Sequence, residues 1–184
     1  MAEFFLSVPF RNCRYPKHPA VRKETFVYLP HKTTAMENKK LGMASDHAGY
    51  DMKRFLAEAL TREGYEITDY GCDNDISCDY PDYAHPLACA IERGEVPLGI
   101  ALCGSGNGVS ITLNKHQGIR AALCWNEELG SLARRHNDAN VCSLPARFID
   151  DETALRIVHA YLSSSFEGGR HERRVEKIPV THSC

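Results

Sequence analysis

Apolar positions in this chain fall into two rhythms that alternate from residue 41 onward. Leu41-Gly42-Met43-Ala44-Ser45 reads as a short buried strand. Met52, Phe55, Leu56, Ala59 and Leu60 then recur at i, i+3, i+4, i+7 and i+8, the stripe of an amphipathic helix that Gly64 stops. Tyr65 to Tyr70 alternates as a second strand, and a polar loop from Cys72 to Asp79 leads to Tyr80-Pro81-Asp82-Tyr83. A helix is predicted from Pro86, a residue tolerated in a first turn, to Arg93. The remaining strands are predicted at Gly99–Cys103, Ile119–Cys124 and Val141–Leu144. The remaining helices are predicted at Val109–Lys115, Asn126–Arg135, Asp151–Leu162 and Arg170–Ile178. Strand and helix alternate throughout, which predicts an α/β fold: a three-layer α/β/α arrangement around a five-stranded parallel, Rossmann-like sheet.

The stretch Gly99-Ile100-Ala101-Leu102-Cys103-Gly104-Ser105-Gly106-Asn107-Gly108 is the most informative in the chain. A buried run ends on a thiol and breaks into alternating glycines, which let the backbone turn and present N–H groups. Ligands of open α/β sheets bind at the carboxyl ends of strands, where helix amino ends favour anions. The spacing is G-x-G-x-G. It is neither the dinucleotide fingerprint nor a P-loop, so on its own it fits a tight turn with a structural cysteine as well as it fits a site. A thiol facing backbone donors is a candidate base or nucleophile. A parallel sheet gathers the carboxyl ends of its strands, so Asp46-His47 is expected beside Cys103. The segment His136-Asn137-Asp138-Ala139-Asn140, before the fifth strand, is expected to add an imidazole and amides. Read singly, Asp46 fits a cap of the first helix as well as a site residue, and His47 and His136 fit surface or capping positions before they fit catalysts.

Composition narrows the reading. With 184 residues, 43% hydrophobic, the chain suits one main core. A formal charge of −2 carries no nucleic-acid signature, and no apolar run approaches the ~20 residues that span a bilayer. Eight cysteines without a C-x-x-C pair read as reduced thiols of a cytoplasmic protein rather than a disulfide framework. Residues 1–35 hold four prolines and six Lys/Arg against two Glu, with no helical period. Residues 1–38 are therefore expected to form a dispensable extension and 39–184 the functional domain.

Ser45-Asp46-His47-Ala48-Gly49, Asp79-Tyr80-Pro81, the Cys103–Gly108 loop, Arg135-His136-Asn137-Asp138-Ala139-Asn140-Val141 and Glu167-Gly168-Gly169-Arg170-His171 occur in that order. Together they closely resemble the type B ribose-5-phosphate isomerase family over about Leu41 to Ile178. The resemblance implies a sheet of strand order 2-1-3-5-4. It also implies an aldose–ketose isomerase of ribose 5-phosphate, or of a hexose 6-phosphate such as allose or galactose phosphate. By position it implies Cys103 as the base between carbons 1 and 2, Ser105 as the hydroxyl beside it, and His136 in ring opening. Asp46, His47, Tyr80 and Asn137 are implied as substrate contacts, the loop of Gly104, Gly106, Asn107 and Gly108 as the oxyanion cradle, and Arg147, Arg170 and Arg174 as phosphate or sugar contacts. In the expected final helix Arg170 and Arg174 stand at i and i+4, on one face. Family members are dimers or tetramers with shared sites and need no metal or organic cofactor.

Two other classes fit the bare residues: a hydrolase or transferase using Cys103 as nucleophile with His136 as its base, and a non-catalytic phosphate- or nucleotide-binding module. Deuterium from solvent entering substrate carbon 2 marks the isomerase, and a trapped acyl-enzyme the hydrolase. Starting the chain at Met36 is expected to leave folding and turnover unchanged, as measured by thermal melting and an isomerase assay. Precipitation of the shortened protein would instead make residues 1–35 part of the core.

Overall fold

Five strands, β1 (Lys40–Ser45), β2 (Glu66–Asp69), β3 (Gly99–Cys103), β4 (Ala121–Leu123) and β5 (Val141–Pro145), form one parallel sheet in the order β2-β1-β3-β5-β4. The computed structural model describes residues 39–180; the expected extension 1–38 lies outside the described residues. Between the strands run α1 (Tyr50–Arg62), α2 (Pro81–Glu92), α3 (Asn107–Leu113) and α4 (Glu127–Asn137), and α5 (Asp151–Leu162) and the single turn α6 (Glu172–Val175) follow β5. Among the described residues, no helix is long and apolar enough to cross a membrane.

Alternate strand residues face opposite ways, and each face is covered by helices. Leu41, Met43, Ile100, Leu102, Cys142 and Leu144 pack with Leu56 and Leu60 of α1, Ala133 of α4 and Ile157, Val158 and Tyr161 of α5. Ala44, Ala101, Cys103 and Val141 pack with Leu87 and Ile91 of α2 and Val109 and Leu113 of α3. The period-2 pattern of β3 therefore sends Cys103 toward the α2/α3 layer.

Two helix boundaries depart from the sequence reading. Helix α2 begins at Pro81, not Pro86, and keeps Pro86 inside. Pro81 takes the first helical position, where a missing N–H costs nothing. Internal Pro86 gives up one backbone bond, and burial of Ala84, Leu87, Ala88 and Ile91 against the sheet offsets that loss. The expected helix Arg170–Ile178 is only the turn Glu172–Val175. Gly168 and Gly169 both hold positive φ and turn the chain up to Arg170, so Arg170 and Arg174 do not share a helical face.

Lys53 of α1 is almost completely buried. Its ammonium group donates to Asp69 Oδ2 and to the Cys72 carbonyl, both at 2.6 Å. Asp69 also accepts the Gly71 N–H at 2.8 Å, so this pair ties α1 to the exit of β2. Replacing Asp69 by Asn leaves a buried charge without its partner and is expected to destabilise the fold by about 3 kcal/mol in urea unfolding. Adding Lys53→Met in the same chain should recover most of that loss, and no recovery would mean that packing, not charge, sets the cost.

Candidate active site

Cys103 is the last residue of β3 and is 4% exposed. The loop after it folds back so that the Gly106 N–H donates to Cys103 Sγ at 3.1 Å. That turn requires φ +73° at Gly106. A Cβ there would run into the Leu123 side chain and stand 3.2 Å from the Leu144–Pro145 backbone, so only glycine fits. The Asn107 N–H donates to Ser105 Oγ at 3.3 Å. Within the loop the Gly106 amide thus serves the sulfur and the Asn107 amide serves Ser105. In the first turn of α3 the amides of Gly108 and Val109 have no intrahelical acceptor.

The carboxyl edge of the sheet collects several of the residues expected there. Asp46, at the exit of β1, accepts the N–H groups of Ala48 and Gly49 at 2.9 and 3.2 Å and caps the following 3₁₀ turn, so its capping reading holds. Its own N–H donates to the Leu102 carbonyl, which fastens the β1 exit to β3. His47 Nδ1 accepts the Cys78 N–H at 3.2 Å, leaving Nε2 to carry the proton of the neutral ring. Tyr80 lies on Gly108 so closely that a Cβ there would be 2.6 Å from Cζ of the ring. The turn after β5 is bonded to the same loop: the Ala146 and Arg147 N–H groups donate to the carbonyls of Cys103 and Gly104, each at 3.0 Å. The exposed Arg147 side chain passes over Gly104, with its Cδ and Nε 3.4 and 3.5 Å from where a Cβ would be.

His136 is not among them. It sits in the last turn of α4, which Asp138 ends in the left-handed conformation, φ 45°, held by Arg134 and Arg120 at 2.9 and 2.8 Å. The chain then enters β5, and the Asn140 carbonyl accepts the N–H of Gly99 at the start of β3. His136 and Asn137 therefore stand at the amino edge, and Cys103 leaves the sheet at the opposite edge, about 13 Å of strand away. The expected convergence within one chain is corrected on this point. A helix that leads into a parallel strand ends at that strand's beginning.

The amino edge carries a cluster of its own. His136 stacks on His171 with centroids 4.1 Å apart and rings 8° from parallel. Glu167 approaches His136 Nε2 at 3.6 Å and receives Arg135 Nε at 2.7 Å, while Arg170 Nε donates to His171 Nε2 at 3.3 Å. The Arg135 hydrogen bond lowers the Glu167 carboxyl below its ordinary range. Burial, and then the charges of His136, Arg170 and Arg174, lower His171. With Glu167 already neutralised by Arg135, the cluster suits proton handling and anions better than a cation. Sequence reasoning had given Glu167 and Cys78 no role. The Glu-Gly-Gly-Arg-His run holds the signal for Glu167, and Cys78 meets His47 Nδ1 through its backbone N–H at 3.2 Å and its thiol at 4.0 Å, a pairing 31 residues apart that the sequence pattern does not announce.

Known proteins give a consistent picture. The Ribose/Galactose Isomerase family model matches residues 41–178. Ribose-5-phosphate isomerase B of Escherichia coli is 42% identical over 140 residues, 76% of this chain and 94% of that protein. The structure of a ribose 5-phosphate isomerase from Thermotoga maritima superposes with a TM-score of 0.75 at 46% identity, covering 76% of this chain and 97% of that one. The ribose-5-phosphate isomerase B of Mycoplasma genitalium, solved with bound ribulose-5-phosphate, gives 0.72 at 40% identity, covering 76% of this chain and 93% of that one.

The glycine loop makes a direct test of this geometry. Gly106→Ala is expected to lower stability by about 1–3 kcal/mol in urea unfolding, because φ and contact both oppose a side chain. Gly108→Ala meets only the partly exposed Tyr80 ring and should cost less than about 1 kcal/mol. The reverse order would show that the loop takes another path.

Proposed function

The chain belongs to the ribose/galactose isomerase family, and from that membership we propose that it interconverts ribose 5-phosphate and ribulose 5-phosphate with Cys103 as the carbon base. The observation that carries the role of Cys103 is its sulfur at the exit of the central strand, taking the Gly106 N–H at 3.1 Å beside the exposed Ser105 hydroxyl. The thiolate removes the proton from carbon 2 of the open aldose, and the electron pair moves through C1–C2 onto the carbonyl oxygen as an enediolate. Return of the proton to carbon 1, with the O2 proton passing to O1, gives the ketose. Ser105 Oγ accepts the Asn107 N–H, so its own O–H is directed to a ligand oxygen, and the Gly108 amide and Arg147 stand nearby for the developing charge. Asp46, His47 and Tyr80 border the same edge as sugar contacts. A positioned base contributes about 10²–10⁴-fold and one oxyanion donor about 10²–10³-fold.

Ring opening needs a group at the ring oxygen, and His136 is assigned to it. Since His136 stands at the amino edge of its own chain, the complete site takes His136, Asn137, Arg170 and Arg174 from a second copy. A two-fold pair repeats the same site twice. The arginines then meet the phosphate as charge-assisted donors. Exposed Trp125 and Phe148, just beyond β4 and β5 on the carboxyl edge, are the apolar surface for such a pair. This reading places the protein in the cytoplasm, in the non-oxidative pentose phosphate pathway, as a homodimer or homotetramer.

Cys103→Ala and His136→Asn are each expected to abolish turnover of ribose 5-phosphate with the fold intact by circular dichroism. Unfolding and refolding the two together in equal amounts should restore about a quarter of wild-type activity, because half the random pairs are mixed and each holds one whole site. Activity absent from the mixture would place both residues in one chain's site. Activity retained by Cys103→Ala alone would remove the base.

A further inference from the structure

The geometry points to a second ligand site, in the α2/α3 layer, where Cys89 Sγ, the Glu92 carboxylate and the His116 imidazole hold a divalent cation of the zinc class. Their donor atoms lie within 4.8 Å of one another. Donors about 2.0–2.3 Å from one tetrahedral ion stand about 3.3–3.8 Å apart, so a turn of the Cys89 side chain and a small opening between His116 and Glu92 close the set. A thiolate, an imidazole and a carboxylate together suit zinc and its neighbours, not magnesium or calcium.

The backbone prepares this arrangement. His85, Cys89 and Glu92 fall at i, i+4 and i+7 of α2, along one face at the rim of its buried side. His116 comes from the turn after α3, whose backbone is fixed by bonds from the His116 N–H to Leu113 and from the Ile119 N–H to His116. His116 Nδ1 is 3.0 Å from Glu92 Oε2, and Glu92 Oε1 accepts the Gly118 N–H at 3.0 Å. A Cβ on Gly118 would be 2.9 Å from Glu92 Cγ, so the loop packs directly on this carboxylate arm.

Behind the three donors stands His85, with Nδ1 2.8 Å from His116 Nε2. A histidine that binds metal through one nitrogen donates the N–H of the other to a partner that fixes its ring, and His85 is in that place. The site joins the end of α2 to the α3–β4 connection and lies outside the residues assigned to isomerisation, so its ion is a structural clasp.

Cobalt titration of the reduced, chelator-washed full-length protein tests this. One Co²⁺ per chain is expected, with thiolate-to-cobalt charge-transfer absorption, tetrahedral d–d bands and displacement by Zn²⁺. Cys89→Ser should lose the charge-transfer band, His116→Gln and Glu92→Gln should weaken binding at least tenfold, and His85→Gln by about 10–100-fold. Cys72→Ser and Cys103→Ala should bind cobalt as the wild type does. Zn²⁺ should raise the melting temperature of the wild type but not of Cys89→Ser, whose isomerase rate stays at the wild-type level. If Cys89→Ser does not fold, the His116→Gln titration decides alone. No thiolate band in the wild type, a band that survives Cys89→Ser, or full affinity in His116→Gln overturns the site.

Discussion

Strand β3 is paired on both sides, to β1 through Gly42–Ser45 and to β5 through Val141–Pro145, and all five of its residues are buried. Everything near Cys103 depends on that double pairing. The ladder does not stop at the strand's end, because the amides of Ala146 and Arg147 continue it onto the carbonyls of Cys103 and Gly104, and the Asp46 amide reaches Leu102 from the other side. The glycine loop therefore grows from a clamped base. A thiol on a freely moving loop would lose the orientation that a proton transfer between adjacent carbons demands.

The same pairing has a second consequence, through the direction of the strands. Crossover connections through helices keep all five parallel, so every strand leaves at one edge and every returning helix arrives at the other. Cys103, Asp46, His47, Tyr80 and Arg147 belong to the leaving edge, and His136, Glu167, Arg170 and His171 to the arriving one. No adjustment of side chains spans the length of strand between those edges. If both groups act on one substrate, two chains must meet, and a two-fold axis is the least demanding way because one contact completes two sites.

Helices α1 and α5 were legible because their apolar stripes are long and begin or end at recognisable residues: Asp150 caps α5 by accepting the Thr153 N–H, and Gly64 ends α1 at φ +89°. Helix α2 was legible only in its second half, since Pro86 looked like a boundary when burial of Ala84 and Leu87 in fact carries the helix through it. At the final segment an i, i+4 pattern existed in the residues, but the two left-handed glycines before Arg170 decided the backbone. The site was legible at the leaving edge, where residue types and strand ends coincide. His136 was misplaced because closeness in sequence to the fifth strand was read as closeness to its carboxyl end. Contacts made by backbone amides, such as Gly106 to Cys103 and Cys78 to His47, leave no trace in a residue pattern.

The three loop glycines illustrate why such a motif is weak alone and strong in context. Gly104 lies against Arg147, Gly106 supplies a positive φ and avoids Leu123, and Gly108 lies against the hydroxyl end of the Tyr80 ring. Only the second is a demand of backbone conformation; at the other two the neighbours, Arg147 and Tyr80, come from distant parts of the chain. The loop also turns two amides on its own residues, so it is less an anion cradle than a mount that fixes one sulfur and one hydroxyl side by side. That arrangement favours moving a proton between two adjacent carbons over attack on a carbonyl. Acyl transfer would need an imidazole beside the thiol to activate it, and within one chain the imidazole on this edge, His47, has Nδ1 already engaged by the Cys78 amide.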